Sequence, residues 1–283
     1  MRCKALMAGA AMAALLAAGQ DARAASGNAP ADQTGGAKPA VSALNGKVDY
    51  LGGSLDGNST TLYEGSVALP LGQHFGFQAD AVGSNVSGAV VEGFGAHAFW
   101  RDPDIGLVGA VISRTGFNTV WGNLVGGEAE AYFGPITVAV NGGWQNGEFL
   151  HTGWGNADLR AYPTDDLMLV VGTGIYNVEH TGQVGIEWRP GLVAAVPGLA
   201  LFGDAGMGER NYEHAIAGIR IYFGEGDKPL VRRHREDDPM PVLMGGVTNA
   251  VGPSGSRATG TSSGGSHFGG SSGSGAGSGG AGA

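Results

Sequence analysis

The chain has 283 residues, 55 of them glycine, and its 16 Lys and Arg against 25 Asp and Glu leave a formal net charge of −9. An acidic balance of this size argues against a nucleic-acid surface, which needs an excess of positive charge. Cys3 is the single cysteine, so no internal disulfide can form and burial and backbone pairing must hold the molecule together.

The opening residues, MRCKALMAGAAMAALLAAGQDARA, have the three parts of a secretory signal peptide. Arg2 and Lys4 supply the positive region, residues 5 to 19 are apolar or small throughout, and Ala22-Arg23-Ala24 fits an A-x-A cleavage site. Residues 1–24 are therefore expected to leave on export, with the mature chain starting at Ala25 and free of cysteine. Cys3 lacks the small-residue context of a lipidation site. Residues 25–43 read as a flexible N-terminal linker. No later segment approaches the roughly 18 consecutive apolar residues of a membrane-spanning helix. A transmembrane β-strand needs only about 9 to 11 alternating residues, so a membrane protein of that kind stays open.

From residue 44 to 224 apolar residues recur with a period of two. Twelve candidate strands centre on 46–54, 61–71, 75–83, 90–101, 106–114, 124–133, 136–144, 150–162, 167–176, 183–189, 199–206 and 214–223. Over 181 residues this is about fifteen per strand with its connection, the spacing of an antiparallel meander. No βαβ spacing and no convincing 3.6-residue periodicity appear. The alternation gives each strand two faces. Phe75, Phe77, Ala79 and Ala81 oppose Gln78 and Asp80; Ala157, Leu159 and Ala161 oppose Asn156, Asp158 and Arg160; Ile219, Ile221 and Phe223 oppose Arg220 and Tyr222. In EAEAYFGPITVAV, residues 128 to 140, Gly-Pro separates two such runs and reads as a hairpin. The strand at 106–114 is apolar on both faces, and Glu92 shares the parity of Phe94 and Trp100.

Even-numbered strands tend to finish on an aromatic just before a turn: Trp100 in AFWRDPD, Phe133 in AYFGP, Tyr162 in RAYPTDD, Trp188 in IEWRPG and Phe223 in IYFGEG. A soluble sandwich has no reason to collect rings at one level. A membrane barrel does, because amphipathic rings favour the boundary between head groups and hydrocarbon. These five are expected to form an interface girdle, and the apolar faces to meet lipid.

Residues 44–224 thereby resemble the small, porin-like outer-membrane β-barrels of Gram-negative bacteria, and AIAGIRIYF is similar to the alternating, aromatic-ended strand that barrel assembly machinery recognises. That family usually ends its chain there, whereas this one continues for about sixty residues. The resemblance implies an all-β, antiparallel up-and-down transmembrane barrel of about 12 strands (roughly 10 to 12) in the outer membrane, with outer-membrane lipid and the assembly machinery as partners. It transfers no catalytic residue.

Within this region Lys47 and six arginines face eighteen carboxylates, a net of −11. Glu64, Asp80, Glu128, Glu130, Asp158, Arg160, Asp204 and Arg220, with Asp49 and Glu187, fall mostly opposite the apolar series and are expected to point into a lumen. They are either a polar network filling a narrow bore or the lining of an acidic pore that favours cations. The histidines, His74, His97, His151, His180, His214, His234 and His267, are scattered singly, with no HExxH and no G-x-S-x-G. No catalytic residue, metal or cofactor is assigned. The chain is expected to act as a narrow porin-like passive pore or as a structural or surface protein of the outer membrane; an outer-membrane hydrolase and a soluble periplasmic β-sandwich binding protein stand as alternatives, separable by a lipid-hydrolysis assay and by membrane fractionation.

In DKPLVRRHREDDP, residues 227 to 239, Lys228, Arg232, Arg233 and Arg235 are matched by Asp227, Glu236, Asp237 and Asp238. It reads as a solvated linker or a docking peptide for a periplasmic partner. With the Gly/Ser-rich residues from 240 onward it makes a disordered tail, residues 225–283.

Overall fold

The computed structural model describes residues 38–118, 120–148, 151–190, 196, 198–225 and 228–237. The expected signal peptide, most of the linker and the Gly/Ser-rich stretch lie outside them. Twelve strands follow in chain order: β1 (Asn45–Leu55), β2 (Asn58–Pro70), β3 (Phe75–Val86), β4 (Ala89–Asp102), β5 (Gly106–Phe117), β6 (Val120–Phe133), β7 (Ile136–Gly147), β8 (Thr152–Thr164), β9 (Leu167–Tyr176), β10 (Glu179–Trp188), β11 (Leu199–Gly208) and β12 (Glu213–Phe223). Each pairs antiparallel with its chain neighbour, and β12 closes on β1. The result is an up-and-down barrel without a free edge. Its shortest strands have ten residues, enough to cross a hydrocarbon layer at the usual tilt.

Both described chain ends lie at one end of the barrel, here the terminal end, with the β2–β3, β4–β5, β6–β7, β8–β9 and β10–β11 connections. The far end carries the other six. Asp56-Gly57 and Ser87-Gly88 turn there with positive φ at both residues (51° and 72°; 47° and 91°), the hairpin geometry whose twist matches antiparallel strands.

The two faces are inverted relative to a water-soluble domain. Arg101, Lys47, His97, Gln78 and Gln145 are among the largest fully buried side chains, whereas Phe75, Phe94, Val108, Ile112 and Phe133 are more than half exposed. Water would penalise an apolar outer face of that extent, and a soluble sandwich would keep it inside. On β5, Val108, Ala110 and Ile112 face out while Leu107 and Val111 face in. Both faces of this strand are apolar because Leu107 packs with Phe99, Ala68 and Val41, and Val111 with Leu124, Trp154 and Tyr176. Glu92 stands on the outer face of β4 near the far end, between Gly83 and Gly116.

Trp100, Phe133 and Trp188 are exposed on the outer face at the terminal end, and Phe223 is half-exposed there. Tyr162 does not join them. It shares the parity of Arg160, so the pleat turns it inward to 5% exposure, where its hydroxyl meets His234. A second set of rings, unread in the sequence because it lies within strands, marks the outer face nearer the far end. Tyr50 and Tyr63 pack with centroids 5.2 Å apart, Phe94 and Trp144 are exposed, and the Arg114 guanidinium lies 4.8 Å over Trp121.

Two segments read as flexible are instead docked where the structure describes them. Ala40 and Val41, the end of the expected linker, are fully buried at the terminal end, and the Ala40 N–H donates to the Gln73 carbonyl at 2.8 Å. The charged stretch contains a helix, α1 (Leu230–Glu236), whose Leu230, Arg233, His234 and Glu236 are buried.

The faces can be tested on one strand. Val138 is exposed on the outer face of β7, and Asn141 lies on the inner face as register partner of Glu128. Arginine facing hydrocarbon costs roughly 2–4 kcal/mol near the midplane, whereas one beside Glu128 gains a partner. Val138→Arg should lower the yield of folded, heat-modifiable barrel on a detergent gel, and Asn141→Arg should leave it near wild type. The reverse order would invert the assignment.

Candidate functional site

Because side chains alternate, every inward polar residue stands beside inward residues of the adjoining strands. Asp49 on β1 is the register partner of both Arg220 on β12 and Glu64 on β2. Arg220 donates from Nε and Nη2 to Asp49 at 2.8 and 2.6 Å, and from Nη1 to Glu187 on β10 at 2.7 Å. Its guanidinium also lies 4.7 Å from the Phe202 ring centroid. On β4, His97 stands between two carboxylates. Its Nδ1 is hydrogen-bonded to Glu128 at 2.9 Å, and its Nε2 lies 2.9 Å from Asp80 Oδ2, an ion-pair approach rather than an aligned hydrogen bond. Gln78 donates to the other Asp80 oxygen at 2.8 Å. On β8, Arg160 donates to Glu130 at 2.7 Å and comes within 3.8 Å of Asp158. Tyr132 donates to Glu130 and Gln183 to Asp158, while His214 joins Asp204 to the Tyr212 hydroxyl.

Several of these contacts skip a strand. His97 on β4 reaches Glu128 on β6 because the intervening residue on β5 is Gly109, where a Cβ would lie 2.8 Å from Glu128 Oε1. Gly172 on β9 opens the same passage between Asp158 and Gln183, and Ala139 on β7 lies between Glu130 and Asp158. Small inward residues on β5, β7 and β9 thus let long polar ones on β4, β6, β8 and β10 bond across them.

All eight residues expected in the lumen sit on inner faces: Glu64, Asp80, Arg160 and Arg220 are buried, and Glu128, Glu130, Asp158 and Asp204 are partly so. His97 and Lys47 belong to the same belt and were not in that set. The parity of His97, opposite Phe94 and Trp100, was the available signal. Between the charged walls lies a cavity of about 180 Å³ bordered by Glu64, Asp158, Arg160, Gln183, Glu187 and Arg220. Toward the far end the bore meets an apolar cluster that includes Leu51, Leu62, Val82, Val91 and Ile216.

The terminal mouth is occupied by α1. The Leu230 N–H donates to Asp166, which also holds Arg189, and the Val231 N–H donates to the Asp165 carbonyl. His234 lies between two tyrosines, with Nδ1 2.9 Å from the Tyr162 hydroxyl and Nε2 3.0 Å from that of Tyr222. Tyr222 commits its one proton to Glu187 at 2.6 Å, so Nε2 must donate to Tyr222. Arg235 donates to the Ile136 carbonyl and Thr137 hydroxyl and lies 4.9 Å over Tyr132. Lys228 and Ser42 both bond Asp237, and the Ser42 N–H donates to the Glu236 carbonyl, tying the two chain ends together. Burial would raise Glu236, but the Arg232 hydrogen bond and the charge of Lys228 outweigh it and hold the carboxyl below its ordinary value.

No protein-family model matches the chain, and no curated protein matches its sequence. Solved structures match its shape. The KdgM porin superposes with a TM-score of 0.51 at 9% identity, over 63% of this chain and 99% of that one. The KdgM porin in complex with disordered oligogalacturonate gives 0.52 at 10% identity, again over 63% and 99%. At that identity the likeness is one of fold, a closed porin-type outer-membrane barrel.

The Arg220 pairings are buried, whereas Arg210, 2.8 Å from Glu179, has a side chain 41% exposed. Removing one partner of a buried ion pair costs about 3–5 kcal/mol, and an exposed pair contributes about 1 kcal/mol or less. Arg220→Ala should therefore lower the denaturation midpoint of the detergent-folded protein far more than Arg210→Ala. Equal effects would mean that the belt is hydrated rather than closed.

Proposed function

We propose that this protein is a Gram-negative outer-membrane barrel acting as a narrow, passive, cation-preferring pore, closed at its terminal mouth by its own C-terminal segment. The observation that carries the reading is the inversion of the barrel, with an apolar outer face around an inner belt of buried and half-buried charges. A chain of this kind is exported by a signal peptide, and an even strand number leaves both ends on the periplasmic side. The excess of carboxylates over bases in residues 44–224 sets the preference. Oligogalacturonate, present with the KdgM porin, is a polyanion; an acidic bore disfavours such a solute. The pore is read as non-enzymatic. His97 is held by carboxylates and His214 by Asp204 and Tyr212, positions that suit scaffolding rather than proton transfer to a substrate.

In this reading α1 is the gate. It brings Arg233 and Arg235, with Lys228 just before it, to the mouth of an acidic bore, and it is held by side-chain contacts and two backbone hydrogen bonds outside the barrel ladder.

Planar-bilayer recording of three chains tests this: full length, truncated after residue 239, and truncated after Gly224. The first two should be mostly closed. The third should open at least about tenfold more often and show cation preference in its reversal potential. Glu236 adds a pH arm. Its carboxyl is depressed when docked, so its contribution is complete above the ordinary value of 4.5 and is lost as pH falls through the docked value below it. Acidification below about pH 4.5 should open the full chain and leave the Gly224 truncation unchanged. Folded barrel that stays silent in all three forms would make this a structural or surface protein.

A further inference from the structure

We infer that the cavity in the bore is a binding site for a small alkylammonium ion, with the carboxylate of Glu64 as its anchor. Glu64 is only 4% exposed, borders the cavity, and its Oε1 has no hydrogen-bond partner within the protein. Its register partner on β1 is Asp49, a like charge directly opposite whose own partner, Arg220, lies on the strand beyond.

Lys47 and Arg220 are the cations whose charge reaches Glu64, and neither bonds its Oε1. Asp49, Glu64, Asp80, Glu128 and Glu187 stand in one belt with Lys47, Arg220, His97 and His234. Arg220 is already divided between Asp49 and Glu187, and His97 between Asp80 and Glu128.

The chemistry of the walls selects the kind of cation. Among the described residues no three His, Cys, Asp or Glu side chains converge as a metal centre. The cavity borders four carboxylates and two guanidiniums, and beside Glu64 it offers the apolar side chains of Met168, Val170, Phe202 and Ile216 and the amides of Asn156 and Gln183. An anionic anchor with apolar walls suits an ammonium group carrying a short alkyl chain. A volume of 180 Å³ equals about six water molecules at ~30 Å³ each, enough for such an ion.

The test is calorimetric titration of the full chain, folded in detergent, with propylammonium chloride, 1-propanol and potassium chloride in turn. Propylammonium should bind saturably and 1-propanol should not, since the two differ in charge and not in shape. Potassium should compete weakly. Glu64→Gln should weaken propylammonium at least about tenfold, as expected for loss of one charge-assisted hydrogen bond. Glu64→Asp should retain part of the affinity, which also serves if the glutamine variant folds poorly. Glu209→Gln, exposed at the far end, should bind as wild type. Unchanged affinity in both Glu64 variants, equal uptake of 1-propanol, or no saturable binding by folded wild type would overturn the site. Binding is read without conduction: a barrel that binds propylammonium and never conducts keeps this site and loses the pore.

Discussion

Ten residue pairs join β12 to β1, from Gly46–Phe223 to Leu55–His214, and the rest of the molecule depends on that seam. In hydrocarbon an unpaired N–H or C=O has no solvent to turn to, so a sheet survives there only if its last strand meets its first. Closure also fixes register, because a slip of one residue on any strand would turn its Val, Ile and Phe inward and its Asp, Glu and Arg toward lipid. The inversion of faces is thus a consequence of pairing around a ring as much as of composition.

Closing the ring brings together charges far apart in the chain. Asp49 and Arg220, 171 positions apart, become cross-strand neighbours only when the seam forms. A buried ion pair owes much of its worth to geometry, since each partner is costly alone. Most of the belt follows one design. Odd strands β5, β7 and β9 contribute small residues at the crossing points, and the even strands beside them contribute the long polar side chains that meet over them. The α1 helix belongs to the same logic, since its ligands come from β6, β7, β8, β10 and β12 and from residues before β1. It has a complete seat only on a finished barrel.

Much of this was legible from alternation alone. Gln78 and Asp80 opposite Phe75 and Phe77 mark the two faces of β3, and the twelve strands lie where the period of two places them. What escaped depends on contacts between distant residues. Tyr162 ends its strand like a girdle residue, yet its parity matches Arg160, and a hydroxyl inside needs the His234 that only the folded chain supplies. The α1 helix is short, and the acids and bases around it cancel along the sequence, which resembles a solvated stretch. The local signal was the i, i+4 pair Arg232–Glu236; Arg233, His234 and Arg235 find their partners on tyrosines and strand backbone that sequence spacing cannot bring near. Glu64 was visible as an inward acid, but its lack of a partner was not.

The far-end connections are two to four residues long. A barrel cut this short carries almost nothing above its own rim. In an outer membrane its outward tip would sit at or below the sugar layer of the lipid, with no long loop to grasp a polymer, fold over the opening or offer a broad epitope. Phage, antibodies and bulky nutrients would find little to hold. In the proposed topology, with the far end outward, discrimination falls to the interior and control to the mouth that holds α1.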